Sequence, residues 1–363
     1  MKSNILEFCL SPDLGGLELF MVHCHTFFKE HTPCYVAVAP ASKLDNYIQA
    51  EKFHIKRNKI FPFLPALKLA KLIDSKNIDI LHFHWTKDMP TVVLAKLFSK
   101  RKPKIVQTRN MTMTRFKNDF YHAWLYKNID MIHAVTNQVK SQLEQFIPQK
   151  VRPKIEMVYM GCEASNVNSE RVSELKRQYA LTNEFVVGIV GRIEDGKGQH
   201  IVIEAIAKLK ELPIKALIVG HAMEEAYLHT LHENIKKLGI EDKVIFTGFT
   251  KEVNEHMQLF DVNVLATPRE TFGLVIIESM ANGICTLATA NGGPLEIIDD
   301  GSDGLLFERN ADDLAKKLLL LHNNPQMKEQ LALTGQKKAE EIFNKTVQLN
   351  KLYKSFETLG KLY

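Results

Sequence analysis

"LATPRETFGLVIIESMANGICTLAT", residues 265–289, reads as the end of one strand, a polar turn, a helix and the next strand. The apolar run closes at Thr267, and Pro268-Arg269-Glu270 makes the turn. Thr271 is the expected N-cap of a helix over 272–281, and Asn282-Gly283 stops it before "ICTLAT" at 284–289. Strand, helix and strand so closely joined form one unit of a parallel sheet. Glu270 is then expected in the loop before the helix, and Glu278 about two turns inside it. Between them the free amides of Phe272, Gly273 and Leu274 point out of the helix start, where unpaired N–H groups and the helix dipole favour an anion.

Carboxylates on both sides of an anion site are odd for a bare anion. They fit a ligand with hydroxyls at both ends of a diphosphate, a sugar on one side and a ribose on the other. Two solvated glutamates near a helix start are the plainer alternative.

Upstream, "VVGIVGRIEDGKGQH" at 186–200 follows an apolar run and precedes the helical pattern "QHIVIEAIAKLK". Gly191, Gly196 and Lys197 satisfy part of a Walker A pattern, but Gly198 stands where a Ser or Thr must ligate Mg²⁺. A phosphate loop without that hydroxyl remains, with Arg192 and Lys197 as its charges. A tight turn carrying two exposed cations is the alternative.

Around these segments the alternation continues. Strands are expected at 185–191, 214–220, 243–249, 262–267 and 284–289, with a helix at 311–324. In the first half they are expected at 33–40, 78–85, 103–110, 129–136 and 154–161, with helices at 65–76 and 91–100 and Pro65 at a first helical position. Two doubly wound α/β domains follow, with ligand expected outside the carboxyl ends of the strands. The polar stretch at 161–184 marks the boundary between them.

The chain has 363 residues and no apolar window long enough for a transmembrane helix. "MKSNILEFCL" is too short and too interrupted, at Glu7, for a signal segment. Cys9, Cys24, Cys34, Cys162 and Cys285 are scattered and form no C-x-x-C pair. They read as reduced thiols of a cytoplasmic protein, with no metal site. Residues 1–162 carry 24 Lys+Arg against 13 Asp+Glu, and the remainder 23 against 29. The basic half suits an anionic substrate or surface, or is a lysine-rich solvated face.

The segment "ETFGLVIIESMANG", with Glu270 and Glu278 in an E-x₇-E pattern, resembles the retaining glycosyltransferases of family 4. "GRIEDGKG", "GGPLEII" at 292–298 and "DGSDGLLF" at 300–307 support the resemblance. In the first half "DLGGLE" (13–18), "DILHFHW" (79–85) and "VYMGCEAS" (158–165) match more loosely. The resemblance implies the GT-B fold, two Rossmann-like doubly wound parallel-sheet domains facing a central cleft. The expected domains are 1–162 on the acceptor side, 163–344 for the nucleotide sugar, and a C-terminal helix at 345–363 crossing back to the first.

By that resemblance Arg192, Lys197 and the amides of Phe272, Gly273 and Leu274 hold the donor diphosphate, Glu270 the sugar and Glu278 the ribose. Gly15 and Gly16 approach the phosphates from the other domain, and Glu270, Arg192 and Lys197 form the catalytic set. The implied enzyme is hexosyltransferase-like and metal-independent. It needs no cofactor beyond a nucleotide-diphosphate sugar, a UDP-sugar foremost. No nucleic acid is expected.

The chain departs from the family at "QTRNM", which puts Asn110 beside Arg109 where a histidine is usual. His84, Arg109 and Asn110 are the acceptor-side candidates, and His84 could equally be a satisfied core residue. Glu163 replaces the usual hinge aspartate, and "VGHAMEE" at 219–225 lacks the second glycine often found there. The acceptor is expected to be a glycan or a lipid-linked sugar. The clusters "KFHIKRNKIFPFLP" (52–65) and "KLFSKRKPK" (96–104) suggest peripheral attachment to an anionic membrane face. Two other readings stand beside transfer: a nucleotide-sugar epimerase of the same fold, or a non-catalytic basic binding module.

Overall fold

The computed structural model describes residues 3–58 and 61–360. Lys59 and Ile60 of the first basic cluster, and residues 361–363 of the last helical segment, lie outside the described residues. The chain divides into two compact units. One comprises the residues up to Met160 together with those from Lys345 on, and the other is Gly161–Asn344.

The first unit holds a seven-stranded sheet: β1 (Ile5–Cys9), β2 (Cys34–Val38), β3 (Phe53–His54), β4 (Ile80–Phe83), β5 (Lys104–Arg109), β6 (Met131–Ala134) and β7 (Lys154–Met157). Their order across the sheet is β3-β2-β1-β4-β5-β6-β7, and every pairing is parallel. Strands β1 and β4 are buried throughout, as expected of a parallel sheet covered by helices on both faces.

The second unit holds β8 (Phe185–Val190), β9 (Ile214–Val219), β10 (Val244–Gly248), β11 (Val262–Leu265), β12 (Cys285–Thr289) and β13 (Leu305–Phe307). These run β10-β9-β8-β11-β12-β13, again all parallel. This is the Rossmann order, with its reversal between β8 and β11. Ligands of such sheets bind beyond the carboxyl ends at that point.

The expected strands are present, and three others are added at β1, β3 and β13. The helix expected from Pro65 starts two residues earlier and spans Phe63–Ser75, because Pro62 serves as its N-cap. The last helix, Lys345–Gly360, belongs to the first unit. There Phe356, fully buried, lies 5.3 Å from the ring of Phe28 and 5.0 Å from that of His82.

Candidate donor and acceptor sites

The loop after β8 and the loop after β11 leave the sheet at the switch point, and their glycines explain how they fit. Gly198 has φ +77°, and a Cβ there would lie 2.5 Å from the carbonyl oxygen of Ala266. The phosphate-type loop is thus seated directly on the end of β11. Gly220 approaches as closely, since its Cβ would meet the Gly191 oxygen at 1.9 Å. Asp195–Lys197 form a short 3₁₀ turn, and the Gln199 side chain donates from Nε2 to the Arg192 carbonyl at 2.9 Å.

The packing brings the two sequence motifs together. Lys197 Nζ stands 3.8 Å from Glu270 Oε2, and Arg192 is exposed with a guanidinium nitrogen 3.1 Å from Glu194. The Arg192 pair is solvent-exposed and contributes about 0–1 kcal/mol, and the half-buried Lys197 pair, at 3.8 Å, is long, so neither cation is locked to its carboxylate. Arg309, unassigned from sequence, donates from Nε to the Ala266 carbonyl at 3.0 Å, the same carbonyl that Gly198 packs against. Its position beyond β13 becomes meaningful only when the three-residue strand is in place.

The helix expected over 272–281 is shorter. It spans Leu274–Ala281, and its N-cap is Gly273 at φ +104°, not Thr271. A Cβ at Gly273 would lie 2.9 Å from the Ile276 side chain, so the left-handed glycine fixes where the helix begins. Phe272 therefore sits before the helix, its side chain buried. Among the three expected anion donors, Leu274 is the first helical residue and Gly273 the cap. Val275 joins the free first turn, while the Ile276 amide already donates to the Gly273 carbonyl at 2.9 Å.

Glu278 consequently lies little more than one turn in. It is half-buried, and desolvation raises its carboxyl pKa. Glu270 is held on both sides: Oε1 accepts from the Thr271 amide at 3.2 Å, and its backbone carbonyl accepts from Gly293 at 2.8 Å. "GGPLEII" therefore supports this loop. "DGSDGLLF" has a different role, since Asp299 and Asp303 both pair with Lys338, at 2.8 and 2.6 Å, and Asp300 accepts from the Leu306 amide.

In the first unit Gly15 and Gly16 are exposed, and Gly15 donates to Glu18 Oε2 at 2.9 Å at the start of the helix Gly16–Phe28. His84 lies in the core. Its Nε2 is 2.6 Å from Glu7 Oε2, while Glu7 Oε1 is 2.9 Å from His82 Nδ1. His82 Nε2 reaches Thr108 at 2.7 Å, Thr108 reaches His133 at 2.9 Å, and His133 ends the chain on the Val158 carbonyl at 2.7 Å. Burial pushes the histidines down, His82 to about 3 and His84 and His133 to about 4, and raises Glu7.

Glu7, His82 and His84 offer three atoms that could surround a metal. Their 2.6 and 2.9 Å separations are instead those of hydrogen bonds already made. Arg109 is buried and donates to Met111 O, Thr86 Oγ1 and Thr112 O at 2.8–3.0 Å. Asn110, at the end of β5, keeps both amide atoms buried and without a partner.

Two family models match this chain: "Glycosyl transferase 4-like" over residues 7–138 and "Glycosyl transferases group 1" over 172–338. The N-acetyl-alpha-D-glucosaminyl L-malate synthase of Bacillus anthracis is 28% identical over 70% of this chain and 69% of that protein. The capsular polysaccharide biosynthesis glycosyltransferase CapM of Staphylococcus aureus is 25% identical over 84% and 88%. A crystal structure of Anabaena Alr3699/HepE in complex with UDP and glucose shares the fold, with a TM-score of 0.84, 22% identity and coverage of 99% and 100%.

The chain belongs to the group 1, family 4-like glycosyltransferases. It is a glycosyltransferase enzyme of GT-B fold, built from two Rossmann-like units.

Proposed function

We propose that the protein is a retaining transferase that moves a sugar from a nucleoside diphosphate, a UDP-sugar foremost, to a hydroxyl of a glycan or lipid-linked acceptor. The observation that carries the reading is the meeting of Lys197 with Glu270, 3.8 Å apart, where the order of the second sheet reverses. A relative named for capsular polysaccharide biosynthesis supports this choice of acceptor, and a fold neighbour holding UDP and glucose the choice of donor. The product belongs to cell-surface polysaccharide or lipopolysaccharide.

In this reading the donor diphosphate takes over Arg192 and Lys197 from their carboxylates and adds the free amides of Leu274 and Val275. Glu270, released from Lys197, accepts from the sugar hydroxyls. Glu278 accepts from the ribose diol, and its desolvated carboxylate gains from two hydroxyl donors.

The bond from the anomeric carbon to the diphosphate oxygen breaks, and the acceptor oxygen bonds to that carbon on the same face. The acceptor proton passes to the leaving phosphate. Charge gathers on that phosphate, where removing one stabilising group costs on the order of 10²–10³ in kcat. The cations and the helix start serve this need without a metal ion. The side-chain amide of Asn110, unpartnered at the end of β5, is a hydrogen-bonding group on the acceptor side.

No described helix is long and apolar enough to cross a membrane. Attachment is peripheral, at the inner face of the cytoplasmic membrane, through the helices Phe63–Ser75 and Met89–Phe98. There Phe61, Phe63, Leu64, Leu67, Leu97 and Phe98 are exposed among lysines.

Calorimetric titration with UDP, GDP and ADP, each with and without Mg²⁺, tests the donor site in wild type and Lys197→Ala. One nucleotide should bind without metal and lose at least about tenfold in the variant. Absence of nucleotide binding, or a strict Mg²⁺ requirement, would sink the reading.

A further inference from the structure

A cavity of about 330 Å³ opens within the first unit, and no member of the hydrogen-bonded histidine chain is among its lining residues. Four cations from four separate segments line it: Arg57, Lys87, Arg109 and Lys117. No carboxylate is among its lining residues. Among the described residues, no acid lies within ion-pair distance of any of the four. Two aspartates act on them from beyond that distance: Asp119 on Lys117, and Asp88 on Arg57 while it also accepts from the Leu10 amide at 2.7 Å. Burial pushes the Asp88 carboxyl up to about 7, which weakens its charge near neutral pH.

Repulsion is built into the arrangement. Desolvation lowers the Lys117 pKa, and Arg115 and Arg109 lower it further. The guanidinium of Arg57 is held 4.5 Å above the Trp85 ring, and the Lys87 ammonium stands 5.2 Å from the same ring. Those cation–π contacts fix both charges at the rim without neutralising them. Two helix starts border the cavity as well, at Met89-Pro90 and at Tyr121-His122. Asp119 caps the second, its Oδ1 accepting from the His122 amide at 3.0 Å, so only the dipole of the first, which has no side-chain cap, adds to the positive field. Four cations without an ion-pair partner and one helix start converging on one space make a receptor for a multiply charged anion. Met89, Pro90 and Leu125 leave an apolar wall for the body that carries it.

We infer that this cavity binds a phosphate or diphosphate group of the acceptor, held by Arg57, Lys87, Arg109 and Lys117. The inference rests on the transferase reading above and supplies what that reading leaves open, the chemical class of the acceptor. Four positive groups suit a phosphoryl dianion better than a single carboxylate. The group arrives either on a soluble sugar phosphate or on a lipid.

The probe is inorganic pyrophosphate, titrated into the full chain carrying Lys197→Ala so that the donor loop is disabled. Calorimetry and tryptophan fluorescence are the readouts. Binding should weaken about tenfold in Arg57→Gln and again in Lys117→Gln, the loss expected for a charge-assisted hydrogen bond. Arg109 is left intact because its hydrogen bonds hold the β5 loop.

Vesicles of phosphatidylcholine with and without phosphatidic acid form the second arm. Pyrophosphate binding alone assigns a soluble phosphate. Binding of phosphatidic acid vesicles that the same two variants lose assigns a lipid-borne one. Pyrophosphate affinity unchanged by both substitutions, or matched by succinate, would overturn the assignment. A parallel UDP titration of the otherwise wild-type chain keeps the donor reading separate, since it can fail while the cavity still binds pyrophosphate.

Discussion

Gly293 shows how a residue that touches no substrate can govern one that does. A Cβ there would lie 2.3 Å from the Phe272 carbonyl oxygen, and its own amide holds the Glu270 carbonyl. Gly293→Ala must therefore push the segment 270–273 outward. An ångström of displacement at a reacting group costs about 100-fold, so kcat/KM should fall by roughly that factor while urea unfolding changes little. Wild-type kinetics in the alanine variant would show that the loop does not depend on this contact.

At the same scale the sequence misplaced the helix start. Thr271 has the chemistry of an N-cap, but the glycine two residues later takes the left-handed conformation that begins the helix. Glu7 misled in another way. In sequence it reads only as a break in the apolar start of the chain, yet it lies in the buried strand β1, and its partners His82 and His84 are 75 and 77 residues away in sequence. Nothing local announces such a pairing.

At the scale of elements, the apolar runs of β8 and β9 were legible because both faces of a parallel strand are buried. Strands of two or three residues, β3 and β13, have no periodicity to read. The helices Phe63–Ser75 and Met89–Phe98 are equally informative for what they leave uncovered. The Phe63 and Phe98 rings meet at 5.9 Å, yet both remain exposed, as does Leu64. If this surface meets lipid, Phe63→Ser with Leu64→Ser should abolish co-sedimentation with anionic vesicles at low salt and leave UDP binding unchanged. Undiminished sedimentation of the double variant would remove the attachment from these helices.

For the molecule as a whole, the buried histidine chain sets a pH dependence. His82, His84 and His133 have folded values of about 3 to 4 against 6.5 in an open chain. The unfolded chain then binds protons that the folded one refuses. Stability from these groups is complete above pH 6.5 and is lost as pH falls toward 4, by about 1.4 kcal/mol per pH unit for each histidine. Glu7, raised by burial, works in the opposite direction as a single group. Both tryptophans, Trp85 and Trp124, lie in the first unit, so their fluorescence reports its unfolding. The urea midpoint read this way should drop between pH 7 and pH 5, and a flat or rising midpoint would contradict the neutral assignment.

The helix Lys345–Gly360 has a consequence for how the polypeptide is made. Its Phe356 fills a place between Phe28 and His82, which a ribosome delivers some three hundred residues earlier. The stretch Gly161–Asn344, by contrast, is contiguous. During synthesis from the amino end, the middle of the chain can complete its core while the segment that emerged first still waits for its last helix. The order of maturation is thus the reverse of the order of translation.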